Sequence, residues 1–138
     1  MRAILPIALL TLAGTLGLQA GDLPPATTAK FLAILARSAN SPGKIACTDA
    51  AVKGELGGAG LAADDSSKVA YASSEAEVKK LKAAGKLVIC SHLNWLPAGG
   101  SIAVVEEGGK PQIYLHMGNI AASGVTLSDA VLKIGKRL

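Results

Sequence analysis

Short apolar runs alternate with helix-like segments between residues 44 and 91, and this alternation constrains the fold more than any other feature. The apolar runs cover 44–48, 68–72 and 86–91, and each has the length of one buried strand. Strands separated by helices form parallel right-handed crossovers, because the chain must return across the sheet before each new strand begins. The pattern therefore predicts an α/β fold with three parallel strands.

The segments between these runs begin with helix-capping residues. Asp49 is placed to cap a helix over 50–56, and either Ser73 or Ser74 is placed to cap the next helix. Glu77 follows Ser74 by three residues, which is the spacing of a capping box. A further helix, capped by threonine and ending near residue 38, is expected before the first strand.

The pattern changes after residue 100. Strands are predicted over 101–107 and 111–116, and the glycine pair between them indicates a β-hairpin at the sheet edge. A short helix over 117–123 and a last helix over 129–134, capped by Ser128, complete the chain. Residues 21–138 are therefore predicted to form a single three-layer α/β domain with a mixed sheet, a C-terminal hairpin and a terminal helix.

Composition excludes several classes of protein. The chain has 138 residues, 50% of them hydrophobic and 17% charged, which suits one globular domain and not a disordered tail. Aromatic residues make up 3% of the chain, too few for a surface that stacks single-stranded nucleic acid. The formal net charge is +4 and the basic residues are scattered, so no nucleic-acid partner is predicted.

Residues 1–20 have the layout of a secretory signal peptide. Arg2 supplies a basic start, an apolar stretch follows, and Ala20 offers a small residue before the polar change at Gly21. A transmembrane anchor is the alternative, but Pro6 and several glycines interrupt a stretch that is already short for a membrane span. The sequence thus predicts export, with a mature chain that begins at Gly21.

Two cysteines are expected to be oxidised in an exported protein. Cys47 and Cys90 each lie in a predicted strand, and we expect the first strand to lie between the second and third. That order would make the two cysteines neighbours, within reach of a disulfide worth about 4 kcal/mol in loop entropy. A redox-active pair is the alternative, although the Cys-x-x-Cys spacing is missing.

Few residues suggest metal or catalytic chemistry. His92, His116, Cys90 and Met117 include the ligand types of a copper site, but their spacing matches no common metal motif and Cys90 would have to be a free thiol. We therefore predict no catalytic residues, no metal and no cofactor.

A contact surface is predicted immediately after the third strand. His92, Asn94 and Trp95 follow it, and ligands of open α/β sheets bind at the carboxyl ends of the strands. The alternative is that Trp95 only covers the core.

Several short motifs of the chain resemble the YfiR-like family of small periplasmic proteins. The motifs are Lys30-Phe31-Leu32, Ile45-Ala46-Cys47, Leu87-Val88-Ile89-Cys90-Ser91, Gly99-Gly100-Ser101-Ile102, Pro111-Gln112-Ile113-Tyr114-Leu115-His116 and the run 121–128. The family usually has a further helix and strand where this chain has only residues 92–98, and often asparagine at the place of His116. The chain thus resembles a shortened member.

The resemblance implies a regulatory role without catalysis. The best-known activity in the family is to bind the periplasmic part of an inner-membrane diguanylate cyclase and hold it inactive. We therefore expect a periplasmic regulator whose partner is an inner-membrane signalling protein. The alternative is a periplasmic small-molecule binding module that uses His92, Asn94 and Trp95.

Overall fold

The computed structural model describes residues 23–40 and 43–138, so the predicted signal peptide at 1–20 lies outside the described residues. The described residues form five α-helices and seven strands. The helices are α1 (Pro25–Ser38), α2 (Ala50–Glu55), α3 (Glu75–Ala83), α4 (Met117–Ser123) and α5 (Asp129–Ile134). The strands are β1 (Lys44–Cys47), β2 (Ala62–Ala63), β3 (Val69–Ala72), β4 (Leu87–Cys90), β5 (Ile102–Glu107), β6 (Lys110–Leu115) and β7 (Lys136–Arg137).

The strands form one mixed sheet in the order β2-β1-β3-β4-β5-β6-β7. The β5–β6 pair is antiparallel and the other neighbours are parallel, which confirms the predicted α/β class. The hairpin turn is Gly108-Gly109, with φ of 59° and 79°, as a two-residue turn of this hand requires. The hairpin does not lie at the edge, because β7 pairs with β6.

The predicted order of the first three long strands is wrong, because β3 lies between β1 and β4. The crossover through α2 does not end at β3. It ends at the short strand β2, on the other side of β1, and residues 64–68 then carry the chain back past β1. A strand that the sequence pattern did not reveal therefore changed the order.

The cysteines consequently do not meet. Cys47 packs on one face of the sheet and Cys90 on the other, and β3 separates their strands. Both are buried free thiols. The structure does not contain the predicted Cys47–Cys90 bridge, because the two cysteines lie on opposite faces of strands that are not neighbours.

The two faces of the sheet are covered unequally. The larger core lies under α1, α2, α4 and α5, and the smaller core lies under α3 and the connection at 91–101. In β4, Leu87 and Ile89 belong to the larger core and Val88 and Cys90 to the smaller one, because side chains alternate along a strand. None of the described helices is long and apolar enough to cross a membrane.

Local signals set most of the helix ends. The Asp49 side chain accepts a hydrogen bond from the Val52 N–H, as predicted for a cap of α2. Helix α1 starts at Pro25, earlier than predicted, because the first turn of a helix tolerates proline. Ser128 makes no side-chain cap bond, and its Oγ instead lies 2.6 Å from Ser38 Oγ.

Candidate functional site

The connection between β4 and β5 brings the three predicted contact residues together. A single 3₁₀ turn over Leu93–Trp95 follows the strand, and the rings of His92 and Trp95 stack with centroids 4.0 Å apart. His92 and Asn94 are exposed, and Trp95 is half-buried against the smaller core. We call His92, Asn94 and Trp95 the strand-end surface. Its use in binding stays a prediction.

Asn119 fixes this connection to the rest of the domain. It lies in the first turn of α4, and its Nδ2 donates to the carbonyls of Leu96 and Gly100, both at 2.9 Å. Leu96 is 1% exposed and fills the smaller core, and the Trp95 carbonyl accepts from the Gly100 N–H at 3.1 Å. The packing of Leu96 in the smaller core and the hydrogen bonds from Asn119 therefore fix the position of the strand-end surface.

Cys90 lies under the same connection, and its thiol has low reactivity. A Cβ on Gly100 would lie 3.0 Å from Cys90 Sγ, so the backbone passes directly over the thiol. The thiol donates to the His92 carbonyl at 3.4 Å, and burial raises its pKa to about 11. At neutral pH the group is a protonated thiol, which is a poor nucleophile and a poor metal ligand.

The other residues considered for metal chemistry do not converge with Cys90. His116 Nδ1 accepts from the Asn119 N–H at 3.0 Å and thereby caps α4, a role that sequence patterns rarely assign to histidine. Burial also raises the pKa of Cys47, on the opposite face. In the part of the chain that the structure describes, no group of three or more His, Cys, Asp or Glu side chains could hold a metal.

A second feature, which the sequence did not predict, is a slot of about 310 Å³ between α3 and β1. It opens because α3 lies over β3 and β4 and leaves the flank over β1 free. Its lining combines small or apolar residues with charged residues. The lining is Ala46, Cys47, Thr48, Asp65, Tyr71, Glu77, Lys80, Leu81, Ala84 and Lys86.

The carboxylate of Glu77 is fixed at one end of the slot. Its Oε1 accepts from the Ser73 N–H at 3.0 Å, and its Oε2 accepts from the Thr48 hydroxyl. Ser74 Oγ accepts from the Glu77 N–H at 3.2 Å, which is one of the two hydrogen bonds of the predicted capping box. In the second bond, the Glu77 carboxylate accepts from the N–H of Ser73 and not from that of Ser74. Glu77 therefore joins the start of α3 to the end of β1.

Lys86 is fixed at the other end. Its Nζ donates to the carbonyls of Asp65 and Ser67 at 2.7 and 2.6 Å. Lys80, on α3 between the two ends, is exposed. The slot thus has a held anion at one end, a held cation at the other, and a largely apolar middle.

The fold resembles a solved structure, although the sequence has no close match. No family model matches this chain, and neither does any curated protein. The crystal structure of a conserved domain protein from Vibrio cholerae O1 biovar El Tor str. N16961 is similar, with a TM-score of 0.60 at 12% identity. The match covers 84% of this chain and 60% of that chain. At this identity the likeness shows the fold alone.

Proposed function

We propose that this chain is a non-enzymatic periplasmic regulator that binds the outer part of an inner-membrane signalling protein. The observation that carries the proposal is the strand-end surface, where the exposed His92 stacks on the half-buried Trp95 in a connection that Asn119 holds in place. The resemblance to YfiR-like proteins suggests the class of partner, a diguanylate cyclase with a periplasmic sensor region.

Preorganisation favours binding at this surface. Interfaces take most of their energy from a few aromatic and polar anchors, and tryptophan is among the commonest. Such anchors lose little conformational entropy on binding when they are already ordered. Stacking fixes the rings of His92 and Trp95, and Asn94 beside them offers two donors and an acceptor.

The reactive side chains near this surface serve the fold. Cys90 is a buried, protonated thiol, and His116 uses a ring nitrogen to cap α4. Both observations favour a binding role over a catalytic one. Export to the periplasm rests on the basic start and apolar stretch of residues 1–20.

Site-specific photocrosslinking in cells tests the partner. A photoreactive residue at Asn94 is expected to capture an integral membrane signalling protein, whereas one at the exposed Lys30 of α1, on the opposite face of the sheet, is not. Adding His92→Ala should reduce capture from position 94 several-fold, because it removes half of the ring stack. Equal capture from both positions, or capture of water-soluble proteins alone, would contradict the proposal.

Intact mass of the protein from the periplasmic fraction tests export. We expect a chain that begins at Gly21. Alkylation after unfolding, without reductant, should add two groups, because Cys47 and Cys90 are free thiols in the structure. Full-length protein confined to the cytoplasmic fraction would overturn the proposed location, and protection of both thiols would favour a bridge.

A further inference from the structure

We propose that the slot between α3 and β1 binds a short extended peptide of two or three small apolar residues with free termini. This inference goes beyond the proposed function and uses a different part of the molecule. It depends on the shape of the slot, the charges at its ends and the small side chains between them.

The shape favours a small ligand over a partner helix. Ala46 lies on the α3 face of β1, because Ile45 and Cys47 on either side of it face the larger core, and it is only 6% exposed, so the slot is narrow and not an open sheet face. An α-helix with its side chains is about 10 Å wide and needs a broader groove. A volume of about 310 Å³ lies at the lower end of the range of small-ligand pockets.

The charges favour a ligand with one cationic and one anionic end. Glu77 can accept from an ammonium group at the β1 end. Lys86 uses two of its three N–H donors on backbone carbonyls and retains one for a carboxylate. Lys80 adds a positive charge between the two ends, which offsets the exposed carboxylate of Asp65 that also lines the slot.

The spacing sets the length of the ligand. Ala84, the residue that ends α3, follows Glu77 by seven residues, which is about 10 Å along a helix axis. An extended tripeptide spans about the same distance, at roughly 3.3 Å per residue. Ala46 and Leu81 line the middle, which suits alanine-sized side chains. The ligand would therefore lie with its amino terminus at Glu77, its carboxyl terminus at Lys86, and Lys80 beside its middle.

Titration of the full mature chain with Ala-Ala-Ala, followed by two-dimensional NMR, tests this inference. We expect saturable shifts of the amides of Ala46, Leu81 and Ala84 below about 10 mM, since ligands of this size bind weakly. The same peptide with acetyl and amide ends should bind at least tenfold more weakly. No saturation by 10 mM, or equal binding of the blocked peptide, would overturn the proposal.

Two matched pairs of variants separate the slot from the rest of α3. Ala84→Phe should fill the slot and abolish binding, whereas Ala83→Phe, at an exposed neighbour outside the lining, should not. Lys80→Met should weaken binding threefold to tenfold, whereas Lys79→Met should leave it unchanged. All four positions are exposed, so the fold should persist, and circular dichroism checks this. Equal effects within either pair would contradict the assignment.

Discussion

The two faces of the sheet differ in how they are covered. Within residues 23–40 and 43–138, four helices enclose a core of 21 buried residues on one face, and one helix and a short connection enclose seven on the other. The strand-end surface and the slot both belong to the thinly covered face. The sheet thus separates the larger core, which contributes most to stability, from the surfaces that are available for binding. The predictions below test that separation.

The largest effect is expected from the same truncation made in each core. Leu87→Ala in the larger core should lower the free energy of unfolding by about 3–4 kcal/mol, because helices and neighbouring strands hold the resulting cavity open. Leu96→Ala in the smaller core should cost about 2 kcal/mol, since fewer buried side chains surround Leu96 and fewer packing contacts are lost.

Urea unfolding at neutral pH measures both values. Lys79→Ala, at an exposed position of α3, is a control that should change stability by less than about 0.5 kcal/mol. A greater loss at Leu96 than at Leu87 would mean that the thin face holds the domain together.

Alkaline pH should weaken the fold through Cys90. Its pKa is about 11 in the folded protein and near 9.0 in the unfolded chain, because the buried thiol resists ionisation. This contribution is fully present below pH 9 and is lost as pH rises through 11, by about 2–3 kcal/mol in all. Unfolding free energies at pH 8 and pH 11 should therefore differ less in Cys90→Ala than in the wild type.

Cys47→Ala is the matched control from the larger core. Because it keeps Cys90, it should retain most of the alkaline loss, and the same two measurements reveal this. An unchanged pH dependence in Cys90→Ala would show that the thiol is not enclosed as the structure has it.

The smallest effect on stability is expected from loss of the Asn119 hydrogen bonds, which join α4, over the larger core, to the connection over the smaller core. Asn119→Ala removes hydrogen bonds to two carbonyls and should cost about 1–2 kcal/mol. Hydrogen exchange should quicken at Trp95 and Gly100 and stay unchanged in β4. Asn94→Ala, at an exposed position, should alter neither quantity, and faster exchange throughout β4 would contradict a local role for Asn119.

Much of the fold could be predicted because its signals are local. The bounds of α4 and α5 agree with the predicted 117–123 and 129–134, and Asp49 caps α2 as expected. Strands β2 and β7 could not be predicted, because each is two residues long and forms by backbone pairing without a side-chain pattern. Missing β2 led to the wrong strand order and to the predicted disulfide.

The candidate sites also differ in how far they could be predicted from the sequence. His92, Asn94 and Trp95 are close in sequence, so their meeting after β4 could be foreseen. The support from Asn119, 23 positions after Leu96, could not, because nothing local links them. The slot could not be predicted from the sequence either, because its place depends on which strands α3 covers and therefore on the strand order.

The two shortest strands also bear on self-association. Each sheet edge is a place where a second copy of the chain could add a strand and begin an ordered aggregate. Here both edges end in strands of only two residues, β2 and β7, and Pro111, which has no backbone N–H, interrupts the part of β6 that β7 does not cover. Charged residues reinforce this, with Asp64 and Asp65 after β2 and Lys136 and Arg137 forming β7. These strands are too short to produce a sequence pattern, and the same shortness disfavours the addition of further strands that leads to fibres.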